Sequence, residues 1–97
     1  MLAKFMTELL STALFAFVIF STGNYLMIGA ILAIIIFFTK GFAVVNPAIS
    51  VAKWVEGSFT TKMLFSMLTA EFIGAIVGFE LYSIVYKKGL TFRAGKK

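Results

Sequence analysis

"GFAVVNPAISVAKWVEG", residues 41–57, lies between two long apolar runs, and its reading decides the fold. Asn46 is a favoured N-cap, and Pro47 suits the first helical position, where its missing N–H costs nothing. Gly57 supplies a stop. A helix of about ten residues between these signals is ~15 Å long at ~1.5 Å per residue. That is half of a hydrocarbon layer roughly 30 Å thick. The segment before it, "GFAVV", is apolar yet carries no helical signal, so its backbone polar groups must find partners outside a helix.

The flanks supply the setting. The chain has 97 residues, of which 61% are hydrophobic and 13% charged. A soluble domain of this size cannot bury so much apolar surface, which makes the lipid bilayer the expected solvent. Three runs stand out: Phe5–Phe20 with Glu8 as its only charge, Tyr25–Thr39 with none, and Met63–Tyr86 with Glu71 and Glu80. The turn Ser21–Asn24 separates the first two, Lys40 and Gly41 close the second, and the polar "GSFTTK" (57–62) leads into the third. The pattern predicts an all-α integral membrane chain with three transmembrane helices, at about 5–21, 25–40 and 62–86, and a loop with a half-length helix over 41–57. Residues 1–86 form one unit, and 87–97 are a basic tail too polar and Gly-interrupted to span anything.

A signal peptide is the competing reading of the first run, because Lys4 precedes it. Glu8 inside the stretch and the lack of a convincing small-x-small cleavage site before Gly23 argue against it. The chain has no Cys and no His, and its four carboxylates are spread along it, so thiolate and imidazole ligands and ligand clusters are all missing. No enzyme activity, metal, cofactor or nucleic-acid partner is expected.

Irregular backbone at membrane depth is tolerated only where it is buried in protein or lines a wet cavity. Elsewhere each unsatisfied group costs several kcal/mol. Residues 41–57 therefore have two readings. In one they form a surface loop and an interfacial helix, with Asn46 and Pro47 as turn chemistry. In the other they form a re-entrant loop. The carbonyls around Ala43, Val44 and Val45 then face water, and the Asn46 amide stands at the positive end of the half helix. A donor there holds a water or hydroxyl oxygen and disfavours cations.

Asn46-Pro47-Ala48 after a Gly-containing apolar loop, with a short helix behind it, resembles the major intrinsic proteins, the aquaporins and glycerol channels. "ELLST" (8–12) is similar to the acidic start of that family's first helix. "AEFIGAIVG" (70–78) falls where the family has a Gln followed three residues later by a Gly, here Glu71 and Gly74. The resemblance covers residues 6 to 86. It implies a single repeat similar to the first half of a family member, where two inverted repeats place two half helices tip to tip. One repeat cannot enclose a pathway, so the resemblance implies a second copy inserted upside down, or a separate protein supplying the other half.

Charge bears on this choice, because Lys/Arg bias normally fixes orientation. With three spans, Lys4, Lys40, Lys53 and Lys62 fall on one face and Lys87, Lys88, Arg93, Lys96 and Lys97 on the other. So even a distribution permits dual topology. The expected assembly is an antiparallel homodimer enclosing one pore, and the family's packing of four pores implies four dimers, an octamer.

The resemblance also carries roles for single residues. Glu8 and Glu71 brace the Asn-Pro-Ala loop, although Glu71 replaces a neutral amide; if protonated it still donates one hydrogen bond. Pore lining falls to Asn46, Pro47, Ala48 and Ile49, to the loop residues Ala43, Val44 and Val45, and to Leu26 and Ala30 on the second helix. Ile49 stands where the second repeat of the family carries its filter Arg, so the implied filter is apolar and sets a large dehydration barrier to ions. Gly29, Gly74 and Gly78 are helix-packing positions, the last two in small-xxx-small spacing. Glu80 lies nine residues beyond Glu71, ~180° around the helix, and is a helix-contact or interfacial residue. Trp54, Tyr25, Tyr82 and Tyr86 suit an interfacial belt. The expected function is passive passage of water, with small neutral solutes such as glycerol as further candidates. The rivals are a hetero-pore completed by a separate second half, a holin-like structural protein, and an ion-coupled exporter using Glu71.

Overall fold

A computed structural model describes residues 1–87. It contains four α-helices, α1 (Leu2–Thr22), α2 (Tyr25–Phe38), α3 (Pro47–Glu56) and α4 (Thr61–Tyr86), and no strand among the described residues. The part of the expected basic tail beyond Lys87 lies outside the described residues.

Each boundary has a local cause. Gly23 closes α1 with a left-handed φ of 59° and returns its N–H to the Ile19 carbonyl. Asn24 opens α2 by accepting the Leu26 and Met27 N–H groups at 2.9 and 3.2 Å. Two residues thus stop one helix and start the next. The second helix ends at Phe38, short of the expected residue 40. There the Lys40 N–H returns to Phe37 and the Gly41 N–H to Ile36, at 3.2 and 2.8 Å, with Lys40 itself left-handed at φ 56°. This is a Schellman stop with Lys in the position that usually takes Gly. Thr39 strengthens it: its hydroxyl donates to the Ile35 carbonyl and accepts the Ala43 N–H. The first helix starts earlier than the expected residue 5, at Leu2. The last starts at Thr61, because the Thr60 hydroxyl caps the Met63 N–H at 3.1 Å.

The main packing is α1 against α4. The backbones come close because Gly74 and Gly78 have no side chain. A Cβ on Gly74 would stand 2.5 Å from the Leu9 carbonyl oxygen and 2.9 Å from Thr12 Cβ. A Cβ on Gly78 would strike the Ala13 carbonyl oxygen and stand 2.8 Å from Ala16 Cβ. The pairing also gives direction. Leu9 meets Gly74, Ala13 meets Gly78, and Phe17 meets Tyr86 with ring centroids 6.4 Å apart. Both numbers rise together, so α1 and α4 run parallel. By contrast Gly29 has open space around it, and α2 leaves Phe37 and Phe38 about three-quarters exposed, at 75% and 76%.

Among the described residues, several polar side chains are fully buried while many large apolar ones are exposed. The largest fully buried side chains are Met67, Glu8, Glu71, Ser50 and Ser83, four of the five polar, while Leu26, Phe65, Phe72 and Val85 face outward. By length and composition α1 and α4 could each cross a membrane; α2, at 14 residues, is a shorter apolar helix, ~21 Å long.

Candidate functional site

The site forms where the loop between α2 and α3 enters the packed chain. Ala43 is fully buried and Val45 8% exposed, and both pack with Ile35 against Phe15, Ile31 and Leu32. An apolar loop would leave backbone N–H groups stranded here, and each has a specific acceptor. The Ala43 N–H donates to Thr39 Oγ1 at 3.1 Å, Val44 to Glu8 Oε2 at 3.3 Å and Val45 to Glu8 Oε1 at 2.9 Å. Glu8 is buried on α1, and both of its oxygens receive backbone donors. Val45 is held at φ 48°, a left-handed conformation that a β-branched residue adopts only under constraint. Glu8 on one side and the apolar contacts of the Val45 side chain on the other supply it.

Beyond Val45 the half-length helix begins. Asn46 Oδ1 accepts the Ala48 N–H at 2.8 Å, and the Asn46 carbonyl accepts from Ile49 and Ser50. Using its oxygen as cap leaves the Asn46 amide N–H₂ free to face outward. Asn46, Ala48 and Ile49 are exposed and Pro47 half-buried. The helix has 10 residues and closes at Gly57 (φ 100°), where the Ser58 N–H returns to the Lys53 carbonyl at 2.9 Å. It is held to α4 at both ends. Ser50 Oγ donates to Glu71 Oε2 at 2.7 Å, and Trp54 Nε1 donates to Thr61 Oγ1 at 3.1 Å.

Glu8 and Glu71 therefore converge from α1 and α4, one holding the loop and the other holding the half helix. The other expected lining residues are dispersed. Leu26 and Ala30 are exposed on α2, and Leu26 is nine residues before Ile35, ~13 Å along the axis from where the loop packs. The side chains of Ala43 and Val45 point into the chain, so any lining by these two falls to their backbone. Gly29 faces outward, while Gly74 and Gly78 sit in the α1–α4 contact. Trp54 is bound to Thr61 as well as partly exposed, and Tyr25 is the most exposed aromatic among the described residues. Among the described residues no three His, Cys, Asp or Glu side chains come together to hold a metal ion.

Reading residue types missed Ser50, Thr39 and the left-handed conformation of Val45. Ser50 had a usable signal, being the lone hydroxyl inside the half helix four residues after its cap. Val45 had none, because nothing in a Val marks a left-handed φ. Comparison with family models, curated proteins and solved structures finds no match for this chain.

Proposed function

We propose that the chain is one half of a passive membrane channel for water, completed by a second copy inserted upside down. The observation that carries the reading is the anchored half helix. A 10-residue helix capped by Asn46 is preceded by apolar loop backbone whose N–H groups are answered from inside the protein by Glu8. A surface loop has water for that task and needs no buried carboxylate. Glu8 is six residues into α1, ~9 Å along it. Glu71 is ten residues into α4, ~15 Å along it. The loop tip thus lies well below the ends of the two long helices.

The parallel run of α1 and α4 supports three crossings. If both span, the chain must return across the membrane between them, and α2 is the segment available. Its ~21 Å, with the Schellman turn continuing from its end, suits a span that stops short so that the loop folds back. Two half helices of ~15 Å meeting tip to tip cover the remaining hydrocarbon. The exposed Asn46 amides of the two copies then offer donors at the narrowest point, and the helix N-termini disfavour cations. Ile49 leaves the entrance apolar. Small neutral solutes such as glycerol are candidates to the extent that Leu26 leaves room. The near-even split of Lys and Arg favours two copies of this chain over a hetero-pore.

The test is stopped-flow shrinkage of liposomes carrying purified protein, in sucrose and then in glycerol. Wild type is expected to shrink faster than empty vesicles. Asn46→Asp keeps the capping oxygen but adds charge at the pore, so it should fold normally and cut water permeation severalfold. Wild-type shrinkage no faster than that of empty vesicles ends the channel reading, and equal permeation by Asn46→Asp removes Asn46 from the path.

A further inference from the structure

The loop brace and the half-helix anchor meet in two carboxyl groups, an arrangement that holding a loop does not require. Glu8 is 0% exposed and Glu71 2%. Glu71 lies one turn before Gly74, where α4 meets α1 at Leu9 and Thr12, so the two carboxyl groups come from facing helices at about the same level and interact. Both Glu8 oxygens are occupied by donors, from Val44 and Val45. Glu71 Oε2 is occupied by Ser50 Oγ–H, but the fully buried Glu71 Oε1 receives no donor from the protein.

Ionised carboxylates only accept hydrogen bonds, so a contact between two of them has nothing to hold it. Two like charges at such range in a dry interior are strongly unfavourable, and a single shared proton resolves both problems. The charged and titratable groups around the pair are few. From α1 comes Glu8 itself, from α4 Glu71, and from α3 Lys53, whose charge bears on Glu8. Ser50 on α3 is the neutral donor, and the loop contributes backbone N–H groups.

We propose that Glu8 and Glu71 form a proton-binding site. Glu71 carries the proton on Oε1 and donates it to the Glu8 carboxylate, and this bond fastens α1 to α4 beneath the half helix. The proton comes from water, and the pair with it bound carries one negative charge. Geometry decides which partner holds it: Glu8 faces two donors and serves best as the acceptor, whereas the spare oxygen is on Glu71. The proton ties together the element that holds the loop and the element that holds Ser50, so its loss places two charges in contact and loosens the half helix from both sides. The site rests on the packing of α1, α3 and α4 alone, and a chain that conducts no water would still carry it.

The test is infrared spectroscopy of the full chain in liposomes at neutral pH, with H₂O exchanged for D₂O. The wild type is expected to show the carbonyl stretch of a buried, protonated carboxylic acid. Glu71→Gln should abolish that band, and Glu80→Gln should leave it. Glu71→Gln should also keep the wild-type unfolding temperature, because its amide donates to Glu8 and its oxygen accepts from Ser50, whereas Glu71→Ala should lower it. A wild type without the band, a band that survives Glu71→Gln, or a Glu71→Gln protein as unstable as Glu71→Ala would each overturn the proposal.

Discussion

At Glu8 one side chain answers two buried backbone donors, the Val44 and Val45 N–H groups. Removing an acceptor from a buried donor costs about 1–3 kcal/mol, since water does not replace it. Glu8→Ala strands both and also frees Val45 to leave its left-handed φ. We expect this variant to lose at least ~2 kcal/mol on that basis, read as a lowered unfolding midpoint in detergent, with the loop newly open to protease. An unchanged midpoint would mean that the apolar packing of Ala43 and Val45 holds the loop unaided. Asn46 acts on the same loop by different physics. Its oxygen is engaged by Ala48, so its contribution to the fold is a helix cap while its amide remains available.

Helix pairing depends on where small residues fall. At Gly78 an added Cβ meets backbone of α1, which cannot rotate away as a side chain can, so the helices must separate. Overpacking of this kind costs typically about 1–3 kcal/mol. Gly78→Ala is therefore expected to destabilise the chain. Gly29→Ala is expected to be neutral or slightly stabilising, because the added methyl meets nothing and helical Gly is about 0.5–1 kcal/mol worse than Ala. Thermal unfolding of the two variants side by side decides this. Equal behaviour would show that the α1–α4 contact is looser than its geometry. The stripe Gly29, Ala30 and Ala33 on exposed α2 is open within the chain.

At the scale of the whole molecule, the described residues combine buried carboxyls and hydroxyls (Glu8, Glu71, Ser50, Ser83) with many exposed aromatic and branched aliphatic side chains. Two of its helices, α1 and α4, are long and apolar enough to cross a membrane. The proposed pore adds one requirement, that copies lie in both orientations. A tag on the C-terminus, probed with a membrane-impermeant reagent from each face in turn, should label about equally from both, as the four-to-five split of Lys and Arg permits. Labelling from a single face would end the homodimer pore while leaving a hetero-pore open.

Helix existence and type were legible in the residues themselves, because their causes are short-range. Asn46 and Asn24 cap, Gly23 and Gly57 stop, and the long apolar runs make helices between them; each involves partners within about five positions along the chain. The spacing of Gly74 and Gly78 marked a close helix face, and carboxylates inside apolar runs marked Glu8 and Glu71. Which groups those carboxylates meet was another matter: resemblance to a family suggested that Glu8 braces the loop, while no pattern in the residues named Ser50 or the contact with Glu8 as neighbours of Glu71. Glu8 reaches Val45 across 37 positions and Ser50 reaches Glu71 across 21. Such meetings depend on the relative height and rotation of α1, α3 and α4, set by how closely Gly74 and Gly78 let two backbones approach. The left-handed Val45, the parallel run of the long helices and the buried Glu71 oxygen left without a donor belong to that packing, and only the tertiary structure decides them.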